Sequence, residues 1–266
     1  LLNIMKSKYI ITITAFVLGG LSSCSSVLDK DDLSAVSEKS TWDSEILATA
    51  FLDKCYKDNM PGFDGDYAKY TDEGNGGGDF IHGRLTAVAT AGGPLEEYWV
   101  YDKIYALNVL LTSIDSGSLP ENTRDRIKAQ ALFLRAYQYF QMVKIYGGVP
   151  LILKPQDRHV DNLYVTRNTA KECIEQIVKD LDNAAASLPS KWDDKDFGRI
   201  TKGAAMAFKG RVLLTYASEQ FNPNNDRSRW EDAYNACSLA KTELAGPGER
   251  SLHPKYSEIW SCLVYT

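Results

Sequence analysis

Residues Arg124 to Pro155 read RDRIKAQALFLRAYQYFQMVKIYGGVPLILKP, and this stretch decides the fold. Ala129, Leu132, Phe133, Ala136, Phe140 and Val143 recur at three- and four-residue steps, so they share one face of a helix of about six turns. The opposite side is not simply polar, because Ala131, Leu134, Tyr137, Met142 and Ile145 lie among Gln130, Arg135, Gln138 and Gln141. A helix apolar on most of its circumference is enclosed by other helices. Pro120-Glu121 supplies helix-start chemistry. Gly147 and Gly148 are expected to supply the left-handed backbone that ends the helix, and Pro150 prevents its resumption. VPLIL then leaves as an extended segment.

Working outward, helical periodicity recurs on both sides. A first helix is expected over Thr41 to Asp58, with Ile46, Ala50, Phe51, Leu52 and Tyr56 as its apolar positions, ending before the breaker cluster Asn59-Met60-Pro61-Gly62. Leu95 to Ser113 places Trp99, Ile104, Leu107, Asn108 and Leu111 on related faces, and Gly117-Ser118-Leu119-Pro120 turns the chain into the central helix. Thr169 to Ser187 carries a stripe of Cys173, Ile174, Ile177, Val178 and Leu181, with Thr166 or Thr169 as its cap and Pro189 beyond its end. In TKGAAMAFKGRVLLTYASEQF, from Thr201, the small residues Gly203, Ala207, Gly210 and Ala217 form a ridge that lets a neighbouring helix approach closely. Lys202, Lys209 and Arg211 exclude a membrane-span reading of that ridge. Between the first two helices, Phe63 to Pro94 is a long Gly- and Asp-rich stretch, functional or disordered. Helical hairpins at intervals of a few tens of residues predict a mainly α fold of tetratricopeptide-like hairpins with long irregular loops.

Composition narrows the function. The formal charge of -5 argues against nucleic acid as a partner. Five cysteines without a CxxC pair give neither a zinc site nor a dense disulfide framework. His82, His159 and His253 stand apart from any nucleophile motif, and no GxSxG, HExxH or phosphate-binding loop occurs. The acids Asp64/Asp66, Asp72/Glu73 and Asp193/Asp194/Asp196 read as solvated loop residues rather than a glycosidase pair. Asn222-x-Asn224-x-Asp226 lacks the glycine and closing glutamate of a calcium loop and reads as a helix-capping turn. The expectation is a non-enzyme with no metal and no cofactor.

Met5 to Ser23 reads as a targeting segment. Lys6 and Lys8 precede an apolar run from Tyr9 to Leu18 that is too short for a comfortable membrane span, followed by the small residues Gly19 to Ser23. Leu21-Ser22-Ser23-Cys24 resembles a bacterial lipobox, which would make Cys24 the acylated N-terminus; the alternative is a secretory signal that happens to precede a cysteine. Met5 is expected to be the start. Removal of residues 1–23 takes away two lysines and no acid, moving the formal charge from -5 to -7. Residues 24–40 form an acidic tether, with Asp29, Asp31, Asp32 and Glu38, of the kind that stays solvated.

The run Leu134-Arg135-Ala136-Tyr137, then Tyr139-Phe140, then Tyr146-Gly147-Gly148-Val149-Pro150-Leu151, resembles the signature helix of the SusD/RagB family. Trp99…Ile104…Asn108…Leu111 resembles the helix before it, and TKGAAMAFKGRVLLTYASEQF with NPNNDRSRWEDAYNACSLA resembles a second signature block. Family chains continue beyond the point where this one stops, so residues 41–266 are expected to be the N-terminal portion of such a helical-repeat domain. The apolar run Ile259 to Tyr265 fits that expectation. The resemblance implies a glycan-binding lipoprotein of the outer membrane, exposed at the cell surface, that delivers its ligand to a SusC-like TonB-dependent transporter. The alternative is a helical-repeat scaffold that binds only protein. Sugar binding needs aromatic platforms beside planar polar groups. The loop positions Tyr67, Tyr70, Asp79, His82, Arg84 and Trp99 are the candidates, whereas Tyr137 and Tyr139 are expected to pack in the core.

Overall fold

In a computed structural model, residues 38–61, 74, 78–84 and 99–245 are described. The helices in chain order are α1 (Glu38–Asp43), α2 (Glu45–Asn59), α3 (Gly78–Ile81), α4 (Tyr101–Ser113), α5 (Glu121–Tyr146), α6 (Ala170–Ser187), α7 (Lys202–Ala217) and α8 (Arg227–Ala245). Single 3-10 turns occupy Ile114–Ser116 and Asp194–Asp196, and no strand occurs among the described residues. This is the helical architecture that the periodicity predicts.

Helix α5 is the centre. It packs against α2, α4 and α6; α6 packs on α7, and α7 on α8. Thirteen of its 26 residues are buried, among them the polar Gln130, Arg135 and Gln138. Arg135 Nε and Nη2 donate to Asp180 Oδ2 and Oδ1 of α6 at 2.8 and 2.9 Å, and Nη1 donates to Asn108 Oδ1 of α4 at 2.9 Å. Asp180 also accepts from Gln176 Nε2 at 2.8 Å. With the Arg135 and Asp180 side chains only 8% and 2% exposed, this is a fully desolvated, two-pronged ion pair that ties three helices together.

Gly147 ends α5 with φ 71. Gly148 differs from the expectation, because its φ is not positive. It is needed instead for room: a Cβ there would lie 2.0 Å from the carbonyl oxygen of Asn168. The segment after it has no strand partner, so side chains satisfy its backbone. The Tyr101 hydroxyl donates to Pro150 O, and the Tyr139 hydroxyl lies 2.7 Å from both O and N of Ile152. Asn108 Nδ2 donates to Ile152 O, and Leu151 N donates to Asn168 Oδ1. Tyr139 is fully buried, as its place in the central helix requires, and Tyr137 is partly buried against Phe208.

Three expectations need correction. The first helix is two, broken at Ser44, whose φ of -114 and ψ of 120 are extended. The face of α2 that is buried is Ala48, Leu52, Cys55 and Asn59, while Ile46 is 80% exposed and Ala50 is exposed. The helix expected from Leu95 begins at Tyr101, with Trp99 and Val100 ahead of it and residues 95–98 outside the described residues. On α7, Ala207 is exposed. The close approach to α8 rests on Gly203 and Gly210, where a Cβ would stand 2.6 Å from Leu244 Cδ2 and 2.8 Å from Cys237 Sγ.

Of the two threonines expected as the cap of α6 it is Thr169 that serves, and Thr201 is a further cap on α7. Thr169 and Glu172 close a reciprocal capping box on α6, and the Thr201 hydroxyl accepts from Ala204 N on α7. Asn222 Oδ1 accepts from Asp226 N, and Asp226 Oδ1 accepts from Ser228 N and Oγ, so this turn is a helix-starting device.

Removing one member of the α4–α5–α6 ion pair strands a buried charge. Asp180→Ala is expected to destabilise the chain by roughly 3–5 kcal/mol in urea titration, and the double variant Arg135→Met/Asp180→Leu to recover most of that loss. A double variant as unstable as the single one would show that the charge itself is not the cost.

Candidate functional site

The aromatic candidate that the structure describes in full is Trp99. It is 47% exposed and stands where the chain enters α4. Its ring lies 5.1 Å from that of Tyr101, in the first turn of α4, and 5.2 Å from that of Tyr146, in the last turn of α5. The interplanar angles are 65° and 87°, so both contacts are edge-to-face. Tyr101 is pinned by its hydrogen bond to Pro150 O. At the same end of α5, Arg167 Nε donates to Gly148 O at 2.8 Å and its Nη2 donates to Tyr146 O. The result is an exposed indole held by two buttressing tyrosines, with the exposed Arg167 guanidinium bonded to the backbone carbonyl of one of them. That arrangement suits a ligand with C–H faces and hydroxyls.

The other candidates fare differently. Tyr67 and Tyr70 lie outside the described residues. Asp79 is on α3, with its side chain outside what is described. His82 and Arg84 are exposed on the turn after α3, where Gly83 has φ 64. Tyr101, Tyr146 and Arg167 were not among the sequence candidates. Two of them carried a signal: Tyr101 is two residues from Trp99, and Tyr146 immediately precedes the helix-ending glycines. Nothing local marks Arg167, which reaches the site from a distant loop.

The titratable groups play structural parts. Asp196 of the acidic loop accepts from Arg199 at 2.9 Å, and Arg199 also reaches Asp53 at 2.9 Å and lies over the Tyr56 ring. His159 accepts from Arg158 Nε, and His253 lies outside the described residues. Among the described residues no three His, Cys, Asp or Glu side chains gather as a metal site. Burial pushes the Cys55 thiol up to about 11, and it pushes the Tyr56 hydroxyl up to about 12 against the hydrogen bond from Ile200 N. Neither is an activated nucleophile.

Alongside Tyr101, Tyr139 and Cys173, which burial also pushes up, these two groups set an alkaline limit. In the unfolded chain they ionise near 9.0 and 10.0, whereas the folded chain keeps both protons up to about 11 and 12. The unfolded state therefore binds fewer protons in this window, and stability falls as pH rises. Melting temperature is expected to hold below pH 9 and drop from there toward pH 12. Tyr56→Phe should flatten the upper part of that decline; a decline unchanged in that variant would remove Tyr56 from the account.

A family model described as "Starch-binding associating with outer membrane", of the SusD-like group, matches residues 88–214. The chain is 26% identical over 281 residues to SusD-like protein P38 of Formosa agariphila, covering 94% of this chain and 53% of that protein. A SusD-like protein of Bacteroides ovatus is 27% identical over 117 residues, covering 43% of this chain and 21% of the relative. The chain thus spans about half the length of the first of these curated relatives and a fifth of the second. Among solved structures, a SusD-like protein from Bacteroides fragilis is 27% identical with a TM-score of 0.62, over 80% of this chain and 41% of that one. A structure described as a laminarin binding SusD-like protein shares the fold, with a TM-score of 0.59 at 24% identity, over 82% of this chain and 47% of that one. Trp99 and the helices α4, α5 and α6 all lie inside the segment that is similar to this SusD-like model.

Proposed function

We propose that this chain is part of a glycan-binding lipoprotein, anchored through Cys24 in the outer membrane and exposed at the cell surface. It would bind oligosaccharide or polysaccharide and pass it to a SusC-like TonB-dependent transporter. The observation that carries the reading is the half-exposed, doubly buttressed Trp99 within a SusD-like segment. Support comes from the starch-binding description of the family and from a neighbour in fold described as binding laminarin. The lipobox-like Leu21-Ser22-Ser23-Cys24 supports the anchor. His82, Arg84 and Asp79, with Tyr67 and Tyr70, remain the candidate polar and aromatic partners of Trp99 around a sugar. No covalent chemistry is assigned to them, and the role is capture rather than catalysis.

The second reading is a protein-binding helical scaffold. The exposed Trp230, Tyr234 and Leu239 on α8 favour it.

A glycan array with the complete protein separates the two. At least one polysaccharide is expected to bind, and Trp99→Ala to weaken it about tenfold, since a stacking contact contributes roughly 1–1.5 kcal/mol. Binding to peptides and to no polymer of sugars would sink the glycan reading and favour the scaffold.

The anchor has its own test. Cys24→Ala is expected to release the protein from membranes into the soluble fraction, because acyl chains on that cysteine are what would hold it. Retention of the variant through a high-salt wash would refute a lipid anchor at Cys24.

A further inference from the structure

The seam between α5 and α7 carries two cations, Lys144 and Arg211, that have no carboxylate partner among the described residues. Helix α6 is antiparallel to α5, since Arg135 meets Asp180 while Val149 meets Cys173. It is also antiparallel to α7: Lys209 pairs with Asp182, whereas Ile174 lines a groove with Leu213 and Tyr216. Helices α5 and α7 therefore run parallel. Phe208 of α7 sits against Phe133, Tyr137 and Phe140 of α5 at centroid separations of 5.4, 5.7 and 5.4 Å. One turn further along both helices, in the same direction, stand Lys144 and Arg211.

The Lys144 ammonium lies 5.4 Å from the centre of the Phe140 ring. Partial burial and then the nearby Arg211 charge lower its proton affinity. Two like charges side by side raise each other's energy. Among the described residues neither has a carboxylate within ion-pair distance, although Lys128, Lys202, Lys209 and Arg199 each do. Acids are not scarce, with 35 Asp and Glu against 30 Lys and Arg. Both residues reach solvent, Lys144 only in part. A juxtaposed, uncompensated pair of this kind is relieved by an anion.

We infer that Lys144 and Arg211 form a subsite for an oxyanion, a carboxylate or a sulfate, carried on an acidic glycan. Arg211 offers a planar two-pronged donor and Lys144 a point charge above an aromatic ring. Tyr137 and Phe208 on the same seam are half-buried residues, and aromatic surface of this kind suits the C–H faces of sugars. The inference rests on the glycan reading but concerns a place and a ligand charge separate from Trp99.

The test uses the full chain, titrated with polygalacturonate, dextran sulfate, neutral dextran and polyglutamate. Binding to at least one acidic polysaccharide is expected, with polygalacturonate marking a carboxylate and dextran sulfate a sulfate. K144Q/R211Q should weaken it about tenfold or more, and the exchange K144R/R211K should retain it within about threefold. Affinity should fall with added salt, less steeply in K144Q/R211Q. Should that double variant fail to fold, R211Q alone carries the same comparison. Equal acidic-polysaccharide binding by the parent chain and K144Q/R211Q would overturn the subsite, as would neutral dextran binding as well as its sulfate. Binding of neutral glycans on the array, with no acidic polymer bound, would overturn it and leave the glycan reading standing. Binding of polyglutamate alone would overturn both.

Discussion

The Arg135–Asp180 ion pair is the constraint on which the arrangement of the helices depends. A guanidinium placed in the middle of an enclosed helix has to be met on nearly every donor, and the chain meets it from three directions. Asp180 fixes how far α6 can rotate or slide along α5. Asn108 fixes α4, and because its amide also donates to Ile152 O, the extended segment is set by the same group. Arg135 Nη1 reaches Leu153 O at 3.3 Å as well. Burying two charges gains little net stability, but it penalises every alternative register in which one of them is left alone. Specificity of packing, more than its strength, is what this pair provides.

From that fixed centre the remaining helices follow by simpler rules. The α7–α8 approach depends on the absence of two side chains, at Gly203 and Gly210. The α2–α5 contact mixes apolar burial with hydrogen bonds: the Tyr56 hydroxyl donates to Gln130 Oε1, and Gln138 Nε2 donates to Asn59 O. Trp99 inherits its position from both sides of the centre. One of its supports belongs to the start of α4, the other to the end of α5. The exposed ring is thus placed by the same network that aligns the core.

Much of the helical layout was legible because its signals are local. Pro120 at the start of α5, Gly147 at its end and the Thr169–Glu172 box on α6 each act within a few residues. What escaped was set by tertiary neighbours. Apolar residues wrap around α2, and periodicity alone cannot tell that Ala48 and Cys55 face inward while Ile46 faces water. Glutamines on α5 decide it by offering hydrogen bonds to Tyr56 and Asn59. Asp180 sits inside the apolar stripe of α6, one residue before Leu181, and that misplaced charge was the readable hint of a buried partner. At the candidate site the sequence supplied Trp99 but not its supports, because Tyr146 is far away along the chain. Tyr67 and Tyr70 fall outside the described residues.

The contact of Gly148 with Asn168 has a consequence for how the sequence can vary. The two backbones touch, Asn168 N donates to Val149 O, and Arg167 grips the end of α5. The chain between them therefore leaves and returns at one point, a loop closed at its neck. Residues 150–153 are still held to the core by Tyr101, Tyr139, Asn108 and Arg135, and past them the loop hangs outward: Val160 and Tyr164 are 83% and 94% exposed. Lengthening such a loop adds only a slowly growing entropic cost and leaves the path of α5 into α6 untouched. The neck and residues 150–153 are the fixed part, and the loop past them is free to acquire new residues, and new contacts, without renegotiating the core.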